Sequence, residues 1–244
     1  METISVEEAY SDSIERERFT LEKMKNVDER IYWVLGFRGI NSDFFLYSLF
    51  IENNVQKSKN YLYKLGMVNA YYHEVLKRDI YSILNTFTFP ILSDSSKLIE
   101  RYLNYSKAEY YDWFTTHFAK GLQSILKDDM PALEKHIDGL QRRSKRGETK
   151  QYVGIITSFD GFLNNNQEQI IAGIYELLKT HNKQDLMSLE KKYINFVATA
   201  IAKVAWRIGM EIEIDNPLVP KALLPVRELE HYEGYDFFKE LEQK

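Results

Sequence analysis

Three of the five prolines in this chain fall within nine residues, in Asn216-Pro217-Leu218-Val219-Pro220-Lys221-Ala222-Leu223-Leu224-Pro225. Proline lacks the N–H that a helix interior or an inner strand needs, and it pushes the residue before it toward extended geometry. The run follows a long apolar helical pattern and an alternating Glu211-Ile212-Glu213-Ile214-Asp215. The helices of the body therefore stop here, and an extended or strand-like arm is expected over residues 210–225.

Upstream, the apolar spacing is helical almost throughout. Ile14, Leu21, Met24, Val27 and Ile31 recur at roughly helical intervals in a densely charged segment. Gly36 and Gly39 suggest a break, after which Asn41, Ser42 and Asp43 offer N-caps to an apolar helix through Phe50. Apolar positions from Ser58 to Phe87 fit one or two helices, and Pro90 is expected to close that part. Ser106-Lys107-Ala108-Glu109 has the spacing of a capping box, opening a helix with Tyr110, Trp113, Phe114 and Phe118. A last helix is expected from about Asp185 to Ile208, with Gly209 just past its C-cap.

The middle of the chain repeats itself. Ile125, Leu126, Asp128, Asp129, Leu133, Ile137 and Leu140 correspond to Phe162, Leu163, Asn165, Asn166, Ile170, Ile174 and Leu177, each pair offset by 37 residues. Each unit is an apolar helix, a short Asx-rich turn whose side chain can cap, and a second helix. Pro131 suits a first-turn position. A period near this length implies stacked antiparallel helix hairpins that bury their apolar faces on one another. The expectation is an all-α protein of such degenerate helical repeats, one domain over residues 1–244. The stretch Gln141 to Gly147 is the best linker candidate, and it carries no boundary strong enough to divide the chain.

Composition narrows the function. With 32 Lys and Arg against 36 Asp and Glu, the net charge of −4 gives no general bias toward nucleic acid or an anionic membrane, and a mild one toward a basic partner. The absence of cysteine excludes disulfides, thiolate nucleophiles and cysteine-ligated zinc, and it suits a cytoplasmic setting. The acidic Met1-to-Glu8 start is not a signal peptide, and the Phe44–Ile51 apolar stretch is too short to span a bilayer.

The helix Ala198 to Ile208, Gly209, the Glu211–Asp215 stretch and the arm Asn216-Pro217…Pro220…Leu223-Leu224 resemble the C-terminal signature of the immunity protein 49 family. The turns Leu126-Lys127-Asp128-Asp129 and Leu163-Asn164-Asn165-Asn166 resemble the degenerate helical repeats of the same family. The resemblance covers roughly residues 100–225, and the first hundred residues match only as generic helices. It implies a bacterial polymorphic toxin system, in which the protein binds and neutralises a cognate toxin encoded beside it. It implies a binding role and transfers no contact residues, and the residues themselves offer no catalytic motif, cofactor site or metal site.

Among the candidate sites, the five histidines include no HExxH pair, and a polar surface or satisfied core position outweighs a ligand role for each. Asp128-Asp129 reads as a helix cap before a cation site. Arg142, Arg143, Lys145, Arg146 and Lys150 read as a solvated turn before a phosphate or nucleic-acid site. The tail after Pro225 interleaves carboxylates with large aromatics, and Glu228, Glu230, Tyr232, Glu233, Tyr235 and Asp236 are the candidates for binding a basic partner. The competing account is that Phe237 and Phe238 dock the tail on the core. The alternatives to toxin binding are a helical scaffold for other proteins and, more remotely, a metal-dependent helical enzyme.

Overall fold

The computed structural model describes residues 4–105, 112–145, 147–185, 187 and 189–242. These form an all-helical protein, with no strand among the described residues. The principal helices are α1 (Val6–Lys23), α2 (Gly36–Phe50), α3 (Val55–Glu74), α4 (Thr88–Ser93) and α5 (Ser96–Leu103). They continue with α6 (Phe114–Leu126), α7 (Met130–Ser144), α8 (Gly154–Leu163), α9 (Gln167–Lys179) and α10 (Phe196–Arg207). Consecutive partners pack together: α2 on α3, α6 on α7, and α8 on α9. Helix α10 lies against both α4 and α9, joining the two halves of the core.

One local device makes four of the turns. Asn53, Asp94, Asp128 and Asn165 hold φ of 52°, 65°, 56° and 51°, a region that asparagine and aspartate enter more readily than other side chains. The next residue caps the following helix. Asn54, Ser95, Asp129 and Asn166 accept the N–H of Lys57, Leu98, Ala132 and Gln169 at 2.9, 3.3, 3.1 and 3.1 Å. Chain reversal and helix nucleation thus share two adjacent residues, and each cap contributes about 1 kcal/mol. At two of the turns, 37 residues apart, the backbone bonds also match: Asp129 N to Ser124 O at 2.9 Å, and Asn166 N to Gly161 O at 2.8 Å. Helices α8 and α9 meet backbone to backbone, because a Cβ on Gly154 would overlap the Gly173 carbonyl oxygen.

Several expectations need correction. Asn41, Ser42 and Asp43 do not start a helix; they sit inside α2 and are buried. Asn41 donates back to Phe37 O at 2.7 Å within the helix, and distant partners meet the other polar groups. Tyr235 Oη lies 3.2 Å from Asn41 Oδ1, Ser42 donates to Glu190 at 2.6 Å, and Ser13 donates to Asp43 at 2.7 Å. Gly36 and Gly39 fall within the same helix, with no break between them. Pro90 lies in the first turn of α4, where its missing N–H would have had no helical partner. The last helix is interrupted: a turn at Glu190–Tyr193 ends in an extended Ile194, and α10 begins only after Asn195. Asn195 forces that break by capping Ala198 N at 2.9 Å while donating to Gln184 at 2.9 Å and contacting His181 at 3.0 Å. The capping box expected at Ser106–Glu109 lies outside the described residues. Gly209 does follow the C-cap, at φ 87°.

From Glu211 to Asp215 exposure alternates, with Ile212 and Ile214 buried, but no strand forms. Side chains of the body meet this backbone instead. Trp206 Nε1 donates to Ile212 O at 2.9 Å, and Asp215 N donates to Tyr175 Oη at 3.2 Å. The proline run carries one 3-10 turn, Lys221–Leu223, with Val219, Leu223 and Leu224 buried.

Candidate functional site

The C-terminal segment is held by a buried charge cluster centred on Asp94, the left-handed residue that ends α4. Its side chain is fully buried. Lys59 from α3 and Lys203 from α10 reach Oδ2 at 2.5 and 2.7 Å, and Arg207, one turn beyond Lys203, reaches Oδ1 at 2.7 Å. The Arg227 N–H adds a bond to Oδ2 at 3.1 Å. Three cations on one carboxylate leave ammonium donors over, and the arm supplies acceptors for them. Lys203 donates to Leu223 O and Pro225 O, both at 2.8 Å, and Lys59 donates to Arg227 O at 2.9 Å. Burial pushes Lys203 down to about 8 against the pull of Asp94. Buried ions are costly unless paired and hydrogen-bonded, so the arm carbonyls that satisfy Lys59 and Lys203 are part of the cluster rather than merely lying on it.

Beyond this anchor runs the acidic tail. Glu228 accepts the backbone N–H and the hydroxyl of Ser96 at 2.8 and 2.9 Å, at the start of α5. Tyr232 donates to Ser93 O at 2.8 Å, and its ring lies 4.7 Å from Tyr63. Burial pushes the Tyr232 phenol up to about 12. Tyr235 is buried, donating to Glu17 at 2.5 Å, and burial followed by the Glu17 charge raises its pKa. Glu230, Glu233 and Asp236 are exposed, and a bond to Lys239 holds the Asp236 carboxyl below its usual range. Phe237 and Phe238 are buried beneath, with Phe237 5.4 Å from Phe37. The tail therefore has two faces: aromatics turned to the helices and carboxylates turned outward.

A second polar cluster escaped sequence reasoning. His117 Nε2 on α6 lies 2.7 Å from an Asp112 carboxylate oxygen, and its Nδ1 lies 3.2 Å from Nδ1 of His136 on α7. Arg143 completes the group on the other Asp112 oxygen, and Arg143 followed by His117 holds the Asp112 carboxyl well below its ordinary range. Burial, then the neighbouring His117, lowers His136 to about 4. Gly139 makes room for the His117 ring, which a Cβ there would overlap. The histidines stand 19 residues apart on different helices, so no short-range spacing announces them. Both rings are buried, and their contact ties α6 to α7.

These clusters define an all-α protein in which buried ion and histidine networks join helices and pin an acidic C-terminal tail. The family model for immunity protein 49 matches residues 47–223, and the chain belongs to that family. No curated protein and no solved structure matches it. Membership extends well before residue 100, so α3, α4 and α5 are family structure rather than generic helices. Lys59, Asp94, Lys203 and Arg207 all lie inside the match, whereas the tail candidates from Glu228 to Asp236 lie beyond it. The unmatched ends pack on each other: Tyr235 meets Glu17 and Asn41, and Arg30 pairs with Glu240 at 2.5 Å. Among the described residues no helix is long and apolar enough to cross a membrane.

Proposed function

We propose that this immunity protein acts in a bacterial cytoplasm by binding a cognate toxin and occluding its active site without covalent chemistry. The observation that carries the reading is family membership across residues 47–223, joined to an acidic strip outside the matched region. A partner-specific surface is best placed where family packing does not constrain it. In this reading Glu228, Glu230, Glu233 and Asp236 steer a basic toxin surface, while Tyr232 and Tyr235 fix the strip from beneath. The helix pairs joined at Asp128-Asp129 and Asn165-Asn166 act as degenerate hairpin repeats within one domain over residues 1–244, and the arm over 210–225 serves as the tether. Matching turn geometry at the 37-residue offset supports the repeat.

The test is co-expression with a catalytically inactive form of the toxin encoded beside this gene, followed by binding kinetics. A tight one-to-one complex that protects cells from the active toxin is expected. The triple change E230K/E233K/D236K should slow association by about tenfold or more at low salt and leave the melting temperature within a degree or two. Unaltered association by the triple variant would remove the tail from the interface. Failure to bind or protect would remove toxin neutralisation itself.

A further inference from the structure

Between α2, the Ser82–Asn85 segment, the start of α6 and the residues Gln184, Asp185, Met187 and Glu190 lies a cleft of about 1180 Å³. Its walls mix apolar residues, among them Leu65, Phe89 and Phe114, with polar and charged ones that include Lys183, Asp185 and Glu190. Arg38 of α2 projects among them, yet its guanidinium makes no hydrogen bond and no ion pair with any described residue. The ammonium groups of Lys59 and Lys203, by contrast, each bond the Asp94 carboxylate and carbonyls of the arm. Glu190 also lines the cleft, but its carboxylate is engaged by Ser42 at 2.6 Å and forms no salt bridge with Arg38. Asn85, on the same lining, holds a buried Oδ1 with no partner. Desolvation lowers the Arg38 pKa, so the folded protein bears a cost for holding this charge.

A guanidinium offers five donors in a planar fork that matches a carboxylate, and partial burial strengthens such a pair. We propose that this cleft is a binding site for a small organic carboxylate. The acid group would pair with Arg38 and the hydrocarbon body would lie along Phe89 and Phe114. A monoanion suits the site better than a phosphate dianion, because Glu190 adds negative charge close by. The site is separate from the tail, so it stands or falls independently of the toxin-binding reading.

Calorimetric titration of the full chain with 4-phenylbutyrate, hexanoate and the neutral 4-phenylbutanamide tests the proposal, with thermal unfolding measured in parallel. At least one acid should bind, and the amide roughly tenfold or more weakly than its acid. R38M should abolish the preference for acid over amide while roughly keeping the melting temperature, because it removes a partly desolvated charge that no described side chain hydrogen-bonds. T115W, at the rim of the cleft, should block the acids with Arg38 intact. Equal binding of acid and amide, no binding by either acid, or acid preference retained in R38M overturns the proposal. A fall of several degrees in R38M also overturns it, by showing that the guanidinium is structural.

Discussion

Replacing Asp94 by asparagine separates the charge of the buried cluster from its shape. Asparagine tolerates the left-handed backbone at φ 65° and fills nearly the same volume, so the change acts on electrostatics. The wild-type carboxylate accepts Lys59, Lys203 and Arg207 at 2.5, 2.7 and 2.7 Å and the Arg227 N–H at 3.1 Å. The amide has one acceptor oxygen, and its NH2 group must face a cationic donor. Removing one partner from a buried ion network costs about 3–5 kcal/mol. For a chain of this size that lowers the melting temperature by roughly 6–20 °C. Lys203 sets a ceiling, because an ammonium already near 8 in the wild type sheds its proton when its counter-ion goes. Its folded pKa lies below the unfolded value of about 10.4, so the unfolded state binds more protons between the two. Stability from this group therefore rises with pH from about 8 to the unfolded value, and D94N should steepen and widen that rise. Urea denaturation across pH 6–10 reads both effects, with D94N/K203M expected to recover part of the loss. A D94N variant within about 1 kcal/mol of wild type and with an unchanged pH slope would refute the claim that this cluster holds the arm.

The histidine pair gives a signature at acid pH. His136 is held at about 4 when folded against about 6.5 when unfolded, so its contribution, present above 6.5, is lost as pH falls toward 4. That loss amounts to about 3 kcal/mol at most; H136Q should flatten the decline, and an equally steep decline in H136Q would place its origin elsewhere. G154A should destabilise by about 2–4 kcal/mol, because a methyl group there forces α8 and α9 apart at the Gly173 carbonyl. Chemical denaturation measures it, and a neutral result would mean that the two helices slide without cost.

Helix identity was legible in the sequence because apolar spacing is a property of each helix alone. The turns at Asp128-Asp129 and Asn165-Asn166 were legible for the same reason, as was Gly209. Asn41, Ser42 and Asp43 misled because residues that cap helices also tolerate a helix interior once distant groups satisfy them. Asn195 was missed although its cap on Ala198 is local, because apolar helical spacing continues on both sides of it and its amide partners, His181 and Gln184, lie in another segment. The Asp94 cluster was invisible for a related reason: Lys59, Asp94 and Lys203 look like ordinary surface residues until α3, α4 and α10 converge. In the tail the acidic and aromatic pattern was visible, but its division into an inner and an outer face is set by contacts with α1, α2 and α3.

The wiring of the Asp94 cluster also governs when the chain can finish folding during synthesis. Asp94 leaves the ribosome early, but Lys203 follows 109 residues later and the carbonyl of Pro225 later still. Until those residues emerge, Lys59 and Asp94 must keep their water, and the α3–α4 surface that α10 covers stays exposed. Contacts closed over such separations form slowly, and exposed intermediates of this kind invite aggregation. A chain truncated before Pro225 therefore has its middle helices complete in sequence but lacks the Pro225 and Arg227 acceptors that Lys203 and Lys59 take from the arm.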